Sequence, residues 1–543
     1  MATYDVLIRG GKVVDGTGNP WFYGDVAISG GTVAAVAPAG QINPSSATEV
    51  VDASGHVVCP GFIDIQSHSL IPLLSDPRSL SKITQGVTTE IMGEGWTPAP
   101  FGGRITDPLG GYDRAPQEIT DTIRTWARFG DWLAWLSNRG ASVNFGSFIG
   151  GATVREYVKG WAMGDPTDDE MEAIRQVVRD AMEDGAFGVA TALIYPPGSY
   201  ATDAELYEMC RIIAEYGGVY VTHMRSEADE FLEELEETLD LPRQTGCALE
   251  LYHLKVGGKR NWDKMATAIA MVDAARDEGL DVTADMYPYV AGGTGLASAL
   301  PNWAAADGKL HDNLRDPEIR EKIRHELVEP TGGWEPLATL AGPEGVLVTE
   351  LTAPQNQQYS GKRLSEIAEA RGQHWTDCLM DLVLEDGDHW ISAIYFMMSE
   401  ENLPRQLQQP WMKISTDAAG LDPVIAREHG PAHPRSYGTY TRVLGKYVRE
   451  DGVLTLEDAV RKMTSAVADR LSLRDRGLLR EGMQADVVIF DPTTVIDNAT
   501  FEDPHQLSTG VRDVWVNGGR VLDNGEHTGA TPGQAVYGPG RAG

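Results

Sequence analysis

The sequence predicts an α/β fold, a (β/α)8 TIM-like barrel with a small β-sandwich built from the N- and C-terminal segments. Through the middle of the chain, apolar runs with strand character alternate with helical patterns, as a parallel sheet requires. Polar residues stand at the C-terminal ends of several of these runs, where the catalytic mouth of a barrel lies. Short strands separated by glycine turns occupy both chain ends.

The chain ends predict two halves of one β module. Residues 4–58 contain short strands with turns at Gly10-Gly11 and Gly30-Gly31, and residues 485–522 contain similar runs. Neither half has enough strands to be stable alone, so we expect residues 1–57 and 465–530 to pair into one sandwich. Residues 531–543 are rich in Gly and Pro and are predicted to form a loose tail.

The middle of the chain, residues 58–464, is predicted to form the barrel. Eight strands are expected, as a closed barrel needs, at residues 57–65, 88–92, 143–149, 187–191, 219–223, 249–254, 281–286 and 412–416. Helical patterns such as 168–183 and 203–215 begin with Asp168 and Asp203 at expected N-cap positions. Residues 295–410 are too long for one crossover and are predicted to be an insertion that covers the barrel mouth.

Composition narrows the class of protein. The 543 residues carry a formal net charge of -34, which argues against nucleic acid or an anionic membrane as a partner. The four cysteines are scattered and include no C-x-x-C pair, so we do not expect a disulfide framework. This cysteine usage favours a reducing cytoplasm as the location. The start shows no signal-peptide pattern. A small-molecule substrate is therefore expected. The sequence does not determine the oligomeric state, and a homo-oligomer is one possibility.

Ionisable residues at strand ends indicate metal chemistry. The first strand runs into Gln66 and His68, which share a face of the strand. Later strands end in His223, in His253 and, for the last strand, in Asp417. In a barrel these ends meet at one face, and imidazole and carboxylate groups bind zinc and similar ions. A lone His at a strand end is usually structural, but two on successive strands with a carboxylate favour a catalytic site.

A series of motifs, taken in order, resembles a known family. The motifs are DVLIRGG (5–11), VDGTG (14–18), PGFID (60–64), QGVTT (85–89), THMRSE (222–227), HLK (253–255), DMYPY (285–289), HPR (433–435) and GMQADVVIFDP (482–492). Each motif is weak alone, but their order over nearly the whole chain resembles the amidohydrolase superfamily and its N-acyl-D-amino-acid deacylase (D-aminoacylase) branch. The resemblance implies a barrel with a small sandwich, zinc and amide hydrolysis.

The resemblance also implies roles for individual residues. It assigns His223 and His253 to metal binding and Asp417 to the general base. Lys and Arg can hold a carboxylate, and a Tyr hydroxyl can stabilise an oxyanion. By position, the carboxylate- and oxyanion-contacting residues of the family correspond to Lys255, Tyr287 and Arg435. A substrate that bears a carboxylate is therefore expected.

The sequence departs from the family pattern at the metal site. The usual His-x-His of the first strand is replaced by Gln66 and His68, and an amide is a poorer zinc ligand than imidazole. The usual Cys after the second strand aligns with Gly95. Glu94, one residue earlier, offers a carboxylate whose direction the one-residue offset leaves open. The His that usually follows the third strand is replaced by Gly151.

These departures fall mainly on one of two metal positions. We expect one tightly held zinc on His223 and His253. Glu94 is the candidate for the third ligand, and the sequence leaves its role undecided. His68 and Asp417 are expected to lie close by and to serve the attacking water or a weaker second ion.

The sequence thus predicts a cytoplasmic, zinc-dependent amidohydrolase that deacylates N-acyl-D-amino acids. Attack by zinc-bound hydroxide would give an intermediate stabilised by Tyr287, and Asp417 would act as general base and then as acid. Two alternatives stay open: hydrolysis of a lactam, cyclic imide or xenobiotic amide, and a non-catalytic relative that binds a ligand. A nucleotide-dependent enzyme is disfavoured because the phosphate-binding G-x-x-x-x-G-K-[ST] motif does not occur.

Overall fold

The computed structural model describes residues 3–110, 115–387 and 389–541. The first strands are β1 (Tyr4–Val13), β2 (Phe22–Ser29), β3 (Thr32–Pro38), β4 (Ala47–Asp52) and β5 (Val57–Pro60). The central strands before the insertion are β6 (Phe62–Asp64), β7 (Val87–Met92), β8 (Asn144–Ser147), β9 (Ile149–Gly150), β10 (Gly188–Ala192), β11 (Val219–His223), β12 (Ala248–Leu251) and β13 (Val282–Met286). The remaining strands are β14 (Ala291–Gly295), β15 (Val346–Val348), β16 (Lys362–Arg363), β17 (Ser392–Phe396), β18 (Met412–Ile414), β19 (Val487–Phe490), β20 (Val511–Val516), β21 (Gly519–Asp523) and β22 (Glu526–His527).

Helices separate most of the central strands. Those before the insertion are α1 (Leu70–Ser75), α2 (Leu80–Ile83), α3 (Gln117–Ile123), α4 (Phe129–Arg139), α5 (Gly151–Lys159), α6 (Asp168–Asp184), α7 (Asp203–Glu215), α8 (Phe231–Thr245) and α9 (Lys264–Asp277). The later helices are α10 (Leu310–Arg315), α11 (Pro317–Val328), α12 (Leu337–Ala341), α13 (Leu364–Arg371), α14 (Trp375–Asp386), α15 (Asn402–Leu407), α16 (Pro423–Ala426), α17 (Arg435–Arg442), α18 (Leu456–Met463) and α19 (Ser465–Arg470). In these described ranges, no helix combines the length and apolar character needed to cross a bilayer.

The predicted alternation of strands and helices is confirmed, and the strands are parallel. One sheet has the order β6-β7-β8 and the other β18-β13-β12-β11-β10-β9. A single residue, Phe148, separates β8 from β9. At the opposite edges, Asp417 N donates to Gln66 O at 2.9 Å and His68 N donates to Ala418 O at 3.1 Å. The chain segments that follow β6 and β18 therefore run side by side, which brings the candidate site residues together.

Two helices have as their N-cap the residue before the Asp that the sequence indicated for that position. The Thr167 hydroxyl accepts a hydrogen bond from Glu170 N at the start of α6, and Thr167 N donates to the Glu170 carboxylate at 3.0 Å. Thr202 and Glu205 form the same capping box at α7. A Thr hydroxyl followed by Glu at the third helical position satisfies two backbone N–H groups at once, whereas Asp168 and Asp203 occupy the first helical position.

The predicted first barrel strand, residues 57–65, is two strands in two sheets. β5 pairs with β1 and runs antiparallel to β19, so it joins the two ends of the chain in one nine-stranded sheet. β6 alone pairs with β7. The break falls at Gly61, whose N–H donates to Asp486 O and where a Cβ atom would lie 2.1 Å from Thr88 Oγ1. An apolar run alone does not reveal which sheet each half joins.

Residues predicted as a loose tail pack against the segments of the parallel sheets instead. Val536 N donates to Phe145 O, and Gly538 N donates to Gly185 O, both at 2.8 Å. At Gly533, a Cβ atom would lie 1.9 Å from Val143 O. The glycines in this segment therefore permit close approach of two backbones rather than flexibility. The last two residues of the predicted tail, Ala542 and Gly543, lie outside the described residues.

The segment after β13 has a sheet and an apolar core of its own. β14, β17, β15 and β16 form a four-stranded antiparallel sheet, with α10 to α14 around it. Its apolar cluster is separate from that of the parallel sheets and includes Trp334 and Tyr395. Tyr287 and Tyr289, which follow β13, belong to this same cluster. The insertion thus lies directly against a strand that contributes to the candidate site.

Candidate metal centre

Residues that follow four different strands meet at one buried site. His223 ends β11, His253 lies two residues after β12, and Asp417 lies three residues after β18. Glu94 follows β7, and its side chain is 5% exposed. His223, His253 and Asp417 are buried as well. The meeting of these strand ends is what the topology requires, although they come from positions over 300 residues apart.

Three of these side chains form a group with the spacing of zinc ligands. Glu94 Oε1 lies 3.2 Å from His223 Nδ1 and 3.4 Å from His253 Nε2, and the two imidazole rings are nearly perpendicular. Ligand atoms around a tetrahedral zinc, each about 2.0 Å from the metal, are about 3.3 Å apart. Two imidazoles and a carboxylate leave one position for water, as in catalytic zinc sites. The donor set therefore fits zinc.

The direction of Glu94, which the sequence left open, follows from two glycines. Gly93 and Gly95 have φ values of 108° and 66°, in the region that favours glycine. A Cβ atom at Gly93 would lie 2.3 Å from Phe148 O. This turn points Glu94 into the site although Gly95 occupies the aligned position. Burial would raise the pKa of Glu94, but hydrogen bonds from His223, His253 and His68 lower it well below its usual value.

A second group surrounds Asp417 on the other side of Glu94. His68 Nε2 lies 2.8 Å from Asp417 Oδ1 and 3.2 Å from Glu94 Oε2. Gln66 Nε2 donates to the same two oxygens, at 2.5 Å to Glu94 and 3.2 Å to Asp417. Although His68, Glu94 and Asp417 lie close enough to hold an ion, an N–H donor already occupies the two carboxylate oxygens that such an ion would need.

Asp417 is held as a carboxylate by its neighbours. Arg435 Nη1 lies 2.6 Å from Asp417 Oδ2. Burial alone would raise the pKa of Asp417, but the positive charges of Arg435 and His253 and the hydrogen bond from His68 lower it to about 2. The carboxylate is therefore ionised at neutral pH. His433 orients this arrangement, because its Nε2 donates to Ala291 O at 2.8 Å and its Nδ1 accepts from Arg435 N at 3.0 Å.

Two of the expected site residues have strained backbones. His253 has φ of 32° and Asp417 has φ of 49°, although neither is glycine. Such conformations persist where surrounding contacts impose them, and they are frequent at active sites. At His253 the backbone N–H donates to buried Asp285 at 3.0 Å, and Ser415 Oγ donates to the same oxygen at 2.6 Å. These contacts fix the position from which the imidazole reaches the site.

The remaining expected residues line the same site. Lys255 Nζ lies 2.7 Å from His253 Nδ1. The Arg435 guanidinium lies 4.6 Å from the centre of the Tyr287 ring. The Tyr287 hydroxyl is buried and makes no hydrogen bond to any residue that the structure describes, and burial raises its pKa. A neutral phenol that lacks a hydrogen-bond partner among the described residues is available to donate to a bound molecule.

Sequence reasoning missed two buried carboxylates. Glu227 contacts His223, His253 and Lys255, each within 3.2 Å. Glu335, from the insertion, accepts a hydrogen bond from Glu227 N at 2.5 Å, and burial raises its pKa to about 7. Glu227 had a signal in the sequence, since it stands four residues after His223. Glu335 had none, because its contact depends on how the insertion folds back.

Comparison with known proteins finds a matching family and relatives that cover nearly the whole chain. The amidohydrolase family matches residues 49–317 and 431–522. A D-aminoacylase of Alcaligenes xylosoxydans xylosoxydans is 33% identical over 98% of this chain and 97% of its own length.

Two solved structures are similar over nearly the whole chain. A D-aminoacylase described by its binuclear metal centre, with activation by one metal and attenuation by a second, has a TM-score of 0.81 at 33% identity, covering 98% of this chain and 100% of that one. An N-acyl-D-glutamate deacylase of Bordetella bronchiseptica, complexed with zinc and a phosphonate that mimics the tetrahedral intermediate, has a TM-score of 0.81 at 31% identity, with the same coverage. The fold is therefore TIM-barrel-like α/β.

Proposed function

The chain belongs to the amidohydrolase family, and on this premise we propose that it is a zinc-dependent enzyme that deacylates N-acyl-D-amino acids. The observation that carries the proposal is the group formed by Glu94, His223 and His253, spaced as zinc ligands beside an ionised carboxylate. Relatives that are about one-third identical over nearly the whole chain include deacylases of N-acyl-D-aspartate and N-acyl-D-glutamate.

The metal would be held by Glu94 Oε1, His223 Nδ1 and His253 Nε2. A bound zinc supplies Lewis-acid activation of the attacking water and of the amide carbonyl. Asp417, whose pKa of about 2 leaves it ionised, accepts the proton of that water and later donates it to the leaving nitrogen. His68 and Arg435 hold the two Asp417 oxygens, at 2.8 Å and 2.6 Å, and so orient the proton acceptor.

The substrate is held by the cationic and phenolic groups beside this centre. Lys255 and Arg435 are both buried, and the Arg435 guanidinium lies 4.6 Å from the centre of the Tyr287 ring. We assign the substrate carboxylate to these two cations, because charge-assisted hydrogen bonds are strongest in a buried setting. The Tyr287 hydroxyl donates to the oxygen on which negative charge develops.

Hydrolysis of matched substrates tests this function. We expect amine release from N-acetyl-D-methionine, much slower release from N-acetyl-L-methionine, and poor turnover of the D-amide that lacks the carboxylate. Equal rates of hydrolysis of N-acetyl-D-methionine and of its amide would contradict the assignment of Lys255 and Arg435 as the carboxylate site. Turnover of a lactam or cyclic imide with none of the acyl amino acids would redirect the proposal to that substrate class.

We infer that the enzyme holds one zinc tightly, because Gln66 blocks a second position. Gln66→His replaces the amide donor with a metal ligand beside His68, so the variant is expected to hold a second zinc per chain in metal analysis after dialysis. The double variant Gln66→His/His68→Ala lacks the partner ligand and should again hold one zinc per chain. Two tightly held zinc ions in the unaltered protein would contradict this account.

We also propose that the two parallel sheets are parts of one closed eight-stranded barrel and that the terminal sheet folds as the sandwich. The support is the single-residue gap at Phe148 and the backbone bonds between the segments after β6 and β18. We propose that the barrel domain extends beyond residue 464, because Val467 and Leu471 belong to the same apolar cluster as Ile63.

A further inference from the structure

Glu227 faces the two imidazoles on the side away from the proposed metal. Its side chain is 5% exposed. Glu227 Oε2 lies 3.2 Å from His223 Nε2, and Glu227 Oε1 lies 3.2 Å from His253 Nδ1. The other nitrogen of each ring faces Glu94. One carboxylate thus lies against two rings whose opposite nitrogens point at the same place.

With a metal bound on the Glu94 side, the proton of each ring would lie on the nitrogen that faces Glu227. A histidine that binds metal through one nitrogen carries a proton on the other and usually donates it to a carboxylate or carbonyl, which fixes the tautomer and the rotation of the ring. In this site, His223 Nε2 makes no hydrogen bond to any of the described residues and is buried. Glu227 is the acceptor within reach of this nitrogen.

The same carboxylate also holds the expected substrate-binding lysine. Lys255 Nζ lies 2.6 Å from Glu227 Oε2. Lys255 Nζ also lies 2.7 Å from His253 Nδ1, but once that nitrogen carries a proton neither group can accept from the other. The ammonium and the two ring N–H groups then all need acceptors in this small volume. The two oxygens of Glu227 provide those acceptors.

Glu227 is itself fixed by the backbone on both sides. Its N–H donates to Glu335 at 2.5 Å, and its carbonyl oxygen accepts from Gly257 N at 2.7 Å. Gly257 follows the strand end that bears His253, and Glu335 belongs to the insertion. The position of the carboxylate is therefore set by groups outside the metal site.

We propose that Glu227 is a positioning residue that sets the tautomer and orientation of both metal-binding histidines and anchors Lys255. The inference rests on the proposed function, since it takes Glu94, His223 and His253 as the zinc ligands. A single carboxylate then connects the metal site with the site for the substrate carboxylate. Loss of this carboxylate weakens metal binding and substrate binding together, although it touches neither the metal nor the substrate.

The test is the zinc affinity of Glu227→Gln, measured by competition with a chelating dye. The substituted side chain keeps its size but presents an N–H to a ring that must itself donate. Removal of such partners typically lowers metal affinity 10- to 100-fold, and we expect a loss of about that size. Glu230→Gln, which removes an exposed carboxylate from the same loop, is the matched control and should bind zinc as the unaltered protein does.

A second pair of variants separates the two roles of Glu227. Lys255→Met leaves both contacts between Glu227 and the histidines, so zinc affinity should stay within about twofold while KM for the acyl amino acid rises. If Glu227→Gln does not fold, Glu227→Asp serves in its place, because the withdrawn carboxylate no longer reaches both rings and zinc affinity should still fall.

The outcomes distinguish this inference from the proposed function. An unaltered protein that binds no zinc would defeat the proposed function itself. An unaltered protein that binds zinc, with Glu227→Gln or Glu227→Asp binding it equally well, would overturn only the role of Glu227. An equal loss of zinc affinity in Lys255→Met would show that Glu227 acts through the lysine, and this would also overturn the inference.

Discussion

Asp417→Asn is expected to lower kcat by about 100- to 10,000-fold, the contribution typical of a general acid–base group. An amide has the shape of the carboxylate but cannot take the proton of the attacking water or return it to the leaving nitrogen. Zinc content should be unchanged, because the group formed by Glu94, His223 and His253 is intact. The measurement is kcat on an N-acetyl-D-amino acid alongside metal analysis of the same sample.

The control for this variant is Asp422→Asn. Asp422 lies five residues further on, where it caps α16 and pairs with Arg78, so the same chemical change is made outside the centre. Its kcat should stay near that of the unaltered protein. If Asp417→Asn kept half of its activity with zinc bound, Asp417 would not be the proton acceptor.

His253→Ala is expected to remove the tightly held zinc and, with it, nearly all turnover. The substitution deletes one of three ligands and leaves Glu94 and His223, which cannot hold the ion at the three-ligand affinity. Metal analysis after dialysis should find well below one zinc per chain.

His68→Ala is the matched comparison for that variant. His68 also lies beside Glu94, at 3.2 Å, but on the side of Asp417, so its removal should leave about one zinc per chain. Unchanged metal content in His253→Ala, or loss of the metal in His68→Ala, would show that the ligand set has been assigned wrongly.

The sequence allowed the main features of the fold and the general location of the site to be predicted. Eight strand-like runs, several of them with polar C-terminal ends, predict that those ends meet in a parallel arrangement, so His223, His253 and Asp417 could be grouped without a structure. The side chains are brought together by topology rather than by local sequence. That information is present in the order of strands and helices.

Details that depend on backbone conformation could not be predicted. The direction of Glu94 is set by positive φ values at Gly93 and Gly95, and an ungapped alignment does not show them. The contact between Glu335 and Glu227 depends on the folding of a long insertion.

Glycine content was misleading at the C-terminus. The sequence signal for a flexible Gly-rich tail is the same as the signal for glycines that allow two backbones to touch. Gly533 and Gly538 are of the second kind, because a Cβ atom would lie 1.9 Å from Val143 O at one and 2.1 Å from Ala186 O at the other. Composition carries no information about what lies opposite a glycine.

The most direct test of the central claim is a zinc titration of protein stripped of metal by a chelator, followed by the rate of amine release from an N-acetyl-D-amino acid. The account predicts no turnover without metal, a rate that reaches its maximum at about one zinc per chain, and little release from the L-enantiomer. Full activity in the stripped protein, or zinc bound at one per chain without hydrolysis of any acyl amino acid, would contradict it.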